Sequence, residues 1–199
     1  RLHSGRPMET RKFCFKFEAS FCEVGIIWSD TGIITRIILN DNDGNIKTVK
    51  EEPAFLQEIV KQLREYFRDG TPICGVPWYL IDQAAWTPFQ SSVYRAISSI
   101  PYGETRTYGW VASKIGNPAA NRAVGQALGS NPLLVIIPCH RIVSVNSLGG
   151  FMGQANPDEP ELKLKQELLT LEGIYRQPLL PIFNRPLFNL PVFKIAAQS

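Results

Sequence analysis

Histidine and methionine are the scarcest residues of this 199-residue chain: His3, His140, Met8 and Met152. His3 lies in an N-terminal stretch that reads as unfolded. Any reaction that needs an imidazole must therefore use His140. The four cysteines, Cys14, Cys22, Cys74 and Cys139, make no C-x-x-C pair and fit no zinc-ligand spacing. Neither a metal nor another cofactor is expected. No apolar run approaches the length of a membrane span, and no secretory signal is visible. Charge of one sign is also lacking, with 21 Lys and Arg against 18 Asp and Glu. The resulting net charge of +3 permits nucleic-acid binding without predicting it. Residues 1–7, ahead of Met8, are set aside from fold reasoning. What remains is long enough for one large domain or two small ones.

Against this background one segment stands out: Pro138-Cys139-His140-Arg141-Ile142-Val143. It follows an apolar run, Leu133-Leu134-Val135-Ile136-Ile137, which reads as a buried strand. The run would deliver a thiol to a sheltered place beside a base. A thiol reacts as its thiolate, and a neighbouring imidazole is the usual means of forming it. Taken alone, a cysteine ending a buried strand is more often inert core filler. The free thiol suits a reducing compartment, with cytoplasm as the expectation and a nucleus if the source is eukaryotic.

The surrounding residues overturn the inert reading. Upstream runs Asn117-Pro118-Ala119-Ala120-Asn121-Arg122-Ala123-Val124-Gly125-Gln126-Ala127-Leu128-Gly129-Ser130-Asn131-Pro132. Downstream come Gly149-Gly150-Phe151 and Leu168-Leu169-Thr170-Leu171-Glu172-Gly173. With Pro138-Cys139-His140-Arg141, these resemble the O6-alkylguanine-DNA alkyltransferases, the methylated-DNA–protein-cysteine methyltransferases. The resemblance spans about Thr87 to Tyr175. It implies DNA repair by direct reversal on double-stranded DNA carrying O6-alkylguanine, with O4-alkylthymine a further candidate. The damaged base is flipped out and Cys139 keeps the alkyl group, once per molecule. His140 would draw off the thiol proton through a water, polarised by Glu172. Asn131 would be the hinge before the cysteine. Tyr108 would crowd the phosphate and offer its hydroxyl to the leaving purine. Arg122 would enter the base stack, on a DNA-facing surface with Ala120, Ala123 and Gly125. Leu128, Ile142, Phe151, Met152 and Gly153 would line the substrate pocket. Where Phe151 and Met152 stand, the family often has hydroxyl residues, so Met152 can offer only its backbone N–H.

The residue types suit that chemistry. Displacement at an O-alkyl carbon needs a soft, strong nucleophile, and desolvation resists its ionisation. His140 and Glu172 together answer that resistance, with the orienting logic of a triad headed by cysteine. Glu172 sits at a helix C-terminus, where a carboxylate opposes the helix dipole.

The expected class is α/β (α+β). Residues 8–70 form a small domain of antiparallel sheet and helix, the latter at 53–68. Residues 71–86 link it to a mainly helical DNA-binding and alkyl-acceptor domain at 87–175. Thr87-Pro88 starts a helix there. A helix from Thr107 to Ile115 and another opened by Asn117-Pro118 make a helix-turn-helix. The second of these is rich in small residues around the single cation Arg122, which suits a minor-groove surface with base flipping. Arg95, Arg106, Lys114 and Arg141 belong to the same basic region. Residues 154–164 read as a solvent loop, and 176–199 as an extended Pro/Phe-rich tail packed on its own protein. A monomer without membrane association is expected. The competing readings are an alkyltransferase-like protein that only binds lesions, a helix-turn-helix regulator and a cysteine hydrolase.

Overall fold

The computed structural model describes residues 11–41 and 46–174. The tail at 176–199 lies outside the described residues. Four strands open the fold: β1 (Lys12–Glu18), β2 (Glu23–Ser29), β3 (Ile34–Leu39) and β4 (Lys47–Val49). They make one sheet in the order β3-β2-β1-β4. The β1/β2 and β2/β3 pairs are antiparallel, as the alternation predicts, but β4 runs parallel to β1. Every residue of β2 after Glu23 is buried, as befits the central strand.

Helix α1 (Gln57–Asp69) carries Ile59, Val60, Leu63, Tyr66 and Phe67 on its buried side. It lies against the sheet's first strands, with the Arg64 guanidinium 4.3 Å above the Phe17 ring and Phe67 edge-on to Phe21. The segment before α2 is irregular but attached, since Ile81 bridges to Ile34 of β3.

Helix α2 (Pro88–Ser98) starts where Thr87-Pro88 predicts. The Thr87 side chain accepts from the Gln90 N–H, and the Gln90 side chain accepts from the Thr87 N–H. This reciprocal cap satisfies two of the donors that a helix start leaves open. Strand β5 (Arg106–Thr107) leads into α3 (Tyr108–Lys114), whose first turn is capped by Thr107. Helix α4 (Asn121–Gly129) completes the helix-turn-helix. It begins four residues later than Asn117-Pro118 suggests, because residues 117–120 form a turn closed by the Ala120 N–H on the Asn117 carbonyl. Helix α5 (Pro160–Leu171) ends the described chain.

Two further expectations are corrected. The run at 133–137 is buried but is not a strand. Leu133 and Leu134 make only isolated bridges, and Val135 has φ 72° at a reversal that brings the Ile137 N–H onto the Leu133 carbonyl. Hydrophobicity marked the burial of this run; it could not mark the turn. The proposed solvent loop at 154–164 is a loop only as far as Glu159, since Pro160 occupies the first turn of α5. Proline there loses no hydrogen bond and is pre-set for helix.

One hydrophobic cluster joins sheet, helices and cysteine segment, from Phe15 and Ile26 through Leu63 and Ile97 to Leu128, Cys139 and Leu168.

Candidate active site

Cys139 opens a single 3-10 turn, Cys139–Arg141, and is 3% exposed. Its place is set by the reversal before it. The Asn131 amide donates to the Ile137 carbonyl at 2.9 Å and to Cys139 Sγ at 3.1 Å, while its oxygen accepts from the Leu133 N–H at 3.0 Å. One side chain thus ties both ends of the turn and reaches the sulfur. Burial pushes the thiol's pKa up; the Asn131 amide and the Lys165 charge pull it back. A donor aimed at sulfur stabilises the thiolate more than the thiol.

His140 follows and is fully buried. Its Nε2 lies 2.8 Å from Glu172 Oε1. An ionised carboxylate can only accept, so Nε2 carries the proton and Nδ1 is the ring's basic atom. Nδ1 has no hydrogen-bond partner among the described residues. Burial drives the His140 pKa down, against the pull of Glu172, so the resting imidazole is neutral. Glu172, just past the end of α5, also accepts from Arg141 Nε at 2.8 Å and Arg141 Nη2 at 3.0 Å. Burial alone would raise its pKa; His140 and Arg141 outweigh it and hold the carboxyl at about 2. With His140 neutral at rest, Arg141 is the permanent cation of the group.

Tyr108 reaches the site through β5. Strand β5 pairs in parallel with β6 (Ile142–Val143), which directly follows the Cys139 turn. This pairing sets the start of α3 beside the cysteine segment. The Tyr108 hydroxyl accepts from the Gly150 N–H at 3.0 Å. A cavity of about 590 Å³ is lined by Tyr108, Arg122, Gly125, Leu128, Cys139, Phe151 and Gly153, among others. Arg122 is exposed at this cavity, on α4. Ala123 is half-buried on α4, and Ala120 is half-buried just ahead of it.

The structure therefore joins Cys139 to Asn131 and His140 to Glu172 by hydrogen bonds, and sets Tyr108, Arg122, Gly125, Leu128, Phe151 and Gly153 around the cavity that Cys139 lines. It does not bring Ile142 or Met152 to that cavity. Ile142 is fully buried and its carbonyl accepts from Lys165. Met152, at φ 50°, lines a separate cavity with Leu39 and Leu164. Hydrophobicity and adjacency to Phe151 could not tell which way its side chain turns. Arg141 also leaves the basic surface, since its guanidinium is occupied by Glu172 and the Ile100 carbonyl.

Two site residues escape the sequence reading. Lys165 is fully buried, and its ammonium donates to the carbonyls of Ile142 at 2.5 Å, Leu148 at 2.6 Å and Gly150 at 3.0 Å. It ties the cysteine segment to the cavity wall. Desolvation lowers its pKa to about 7, opposed by the negative charge Cys139 can carry. Tyr66, on α1, donates to Glu172 Oε1 at 2.8 Å. Both lie on buried helical stripes, three residues from Leu162 and Leu63 respectively, so their burial was legible although their partners were not. Among the described residues no three His, Cys, Asp or Glu side chains gather as a metal would need. None of the described helices is long and apolar enough to cross a membrane.

Chemically, the arrangement offers a sheltered thiol, a neutral base held by a carboxylate, and a cavity large enough for a flat heterocycle. The sequence model of the 6-O-methylguanine DNA methyltransferase DNA-binding domain matches residues 88–174. A methylated-DNA–protein-cysteine methyltransferase of Methanosarcina acetivorans is 44% identical over 123 residues, 62% of this chain and 72% of that protein. The constitutive methylated-DNA–protein-cysteine methyltransferase of Bacillus subtilis is 36% identical over 156 residues, 75% of this chain and 88% of that one. The crystal structure of Mycobacterium tuberculosis OGT in complex with DNA superposes with a TM-score of 0.66 at 30% identity, over 80% of this chain and 92% of that chain.

Proposed function

Because the chain belongs to the methylated-DNA–protein-cysteine methyltransferase family, we propose that it repairs O6-alkylguanine in duplex DNA by moving the alkyl group irreversibly onto Cys139. The observation that carries this reading is the buried Cys139 sulfur, 3.1 Å from the Asn131 amide, beside the His140–Glu172 pair. The α4 surface meets the DNA, and Arg122 takes the place of the base turned into the cavity. The thiol proton passes to His140 Nδ1 through a water, and Glu172 stabilises the imidazolium that results. The sulfur attacks the alkyl carbon. An S–C bond forms as the C–O6 bond breaks, and the electron pair leaves with the guanine. The Tyr108 hydroxyl donates a hydrogen bond to the purine as charge develops there. The thiol proton ends, overall, on the released guanine. Leu128, Phe151 and Gly153 shape the pocket around the base. Thioethers are stable and none of the described groups is placed to remove the alkyl, so each molecule acts once. O4-alkylthymine is a second candidate substrate.

Intact mass and peptide mapping after incubation with an O6-methylguanine duplex tests this. One methyl, a gain of about 14 Da, should appear on the Cys139 peptide and saturate at one per protein. Cys139→Ser should take up none while still binding the duplex. No gain in the native protein, with the duplex still bound, would leave a protein that only binds lesions.

A further inference from the structure

Tyr66 belongs to α1, in the sheet-bearing part of the chain, yet its hydroxyl lies among the groups that serve Cys139. It is 1% exposed. Its two hydrogen-bond contacts are Glu172 Oε1 at 2.8 Å and His140 Nε2 at 3.4 Å. Phenylalanine would fill the same space, so what tyrosine adds here is a donor on the carboxylate that holds the histidine. We propose that Tyr66 is a positioning residue for alkyl transfer: by fixing Glu172 Oε1 against His140, it makes the N-terminal part of the chain a working part of the site. The inference rests on the reading of Cys139, His140 and Glu172 given above.

The carboxylate's bonding explains why one more donor matters. Oε1 receives Tyr66, His140 and Arg141 Nη2, and Oε2 receives Arg141 Nε with the Gly103 N–H more distant at 3.4 Å. Without Tyr66 the remaining donors would still fill the carboxylate's lone pairs, so Tyr66 acts not by saturating the group but by fixing Oε1, the atom that His140 uses. So held, the carboxylate does not rotate away from His140 Nε2. Its reduced basicity also leaves the transferred proton on the imidazole, where the developing thiolate needs it. The charged and titratable groups facing Glu172 are His140, Arg141, Tyr66 and Tyr102, and the charge of Lys165 also acts on His140. Arg141 neutralises the carboxylate but leaves His140 held at a single atom, Oε1, the atom that Tyr66 also grips.

Tyr66→Phe in the full chain is the direct test. Single-turnover transfer from an O6-methylguanine duplex would be followed from pH 5 to 9, with duplex affinity, final stoichiometry and thermal midpoint. Transfer at saturating duplex should slow about tenfold, the order expected for one hydrogen bond to a charged group. The acid limb of the rate, set by protonation of His140, should move to higher pH, because Glu172 without the Tyr66 donor holds the imidazolium more strongly. Stoichiometry should stay at one alkyl group and duplex affinity should not change. A purely structural tyrosine would instead lower the thermal midpoint and leave the rate and its pH limb unmoved, which would overturn the proposal. A double-mutant cycle gives a second decision. In a Glu172→Gln background, Tyr66→Phe should slow transfer less than twofold, because it acts through the same carboxylate; a full additional tenfold loss would overturn it. Absence of any S-alkyl adduct in the native protein would overturn both this proposal and the reading beneath it, and the native control shows which has failed.

Discussion

Glu172 is a single side chain on which stability and, in the proposed reaction, chemistry both depend. Its pKa in the folded protein is about 2, against an ordinary 4.5. Between these values the unfolded chain binds a proton that the folded chain does not. The stabilisation is therefore complete above about pH 4.5 and is lost as pH falls towards 2; by linkage it amounts to about 3 kcal/mol. Glu172→Gln should abolish this dependence. It should also destabilise the protein by about 3 kcal/mol at neutral pH, because Arg141 is left without its counter-ion. Urea titrations at pH 7 and pH 3 would check both, and the gap between variant and native protein should shrink at the lower pH. Lys165 gives a slope of the same sign in a higher window, although its own charge is disfavoured by folding. Its pKa is about 7, below the ordinary 10.5, so the unfolded state binds more protons between these values and the Lys165 contribution makes stability rise with pH across that window. Lys165→Met removes this slope yet should still cost about 2–4 kcal/mol, since it orphans three buried carbonyls.

The elements hold the cavity by short, specific devices. The two-residue pairing of β5 with β6 sets Tyr108 beside the cysteine segment, and Gly149 lets the following loop pass it. Gly149 has φ 67°, and a Cβ there would lie 2.9 Å from the Tyr108 ring. Gly149→Ala should cost about 1–3 kcal/mol and slow transfer by displacing Tyr108. Gly153 offers the contrast: φ is 81°, but nothing lies within 4 Å of its added Cβ. Gly153→Ala should cost about 1 kcal/mol of backbone strain alone. Thermal melts and transfer rates on the two variants separate clash from strain. On α4, Arg122→Ala should slow transfer from duplex DNA about 10–100-fold while leaving transfer from a free O6-alkylguanine base unchanged, since on the proposed reading only the flipped state loses its support. An equal loss on both substrates would place Arg122 in the chemistry instead.

At the scale of the molecule, a continuous hydrophobic cluster and the Tyr66–Glu172 bond cross between the segments read as separate domains, 8–70 and 87–175. One cooperative unfolding transition is expected, with equal calorimetric and van't Hoff enthalpies; two resolved transitions would refute it. The sequence by itself determined the kind of protein this is. Period-two alternation marked β1 to β3, period-3.6 stripes marked α1 and α2, and Thr87-Pro88 and Thr107 marked helix starts, because these are local properties of chain geometry and hydrogen bonding. It also marked Cys139, His140 and Glu172, because their order and residue types belong to a motif. Tertiary structure alone decided what depends on residues distant in sequence meeting in space. The cysteine run became a turn, because Asn131 and the sheet edge at Ile37 supply its hydrogen bonds: Asn131 caps both ends, and the Ile37 N–H donates to the Pro132 carbonyl. Met152 turned to a second cavity. Arg141 turned inward to Glu172, and Lys165 and Tyr66 closed on carbonyls and a carboxylate up to 106 residues away. Burial is written in periodicity; the identity of a buried polar group's partner is written only in the packed fold.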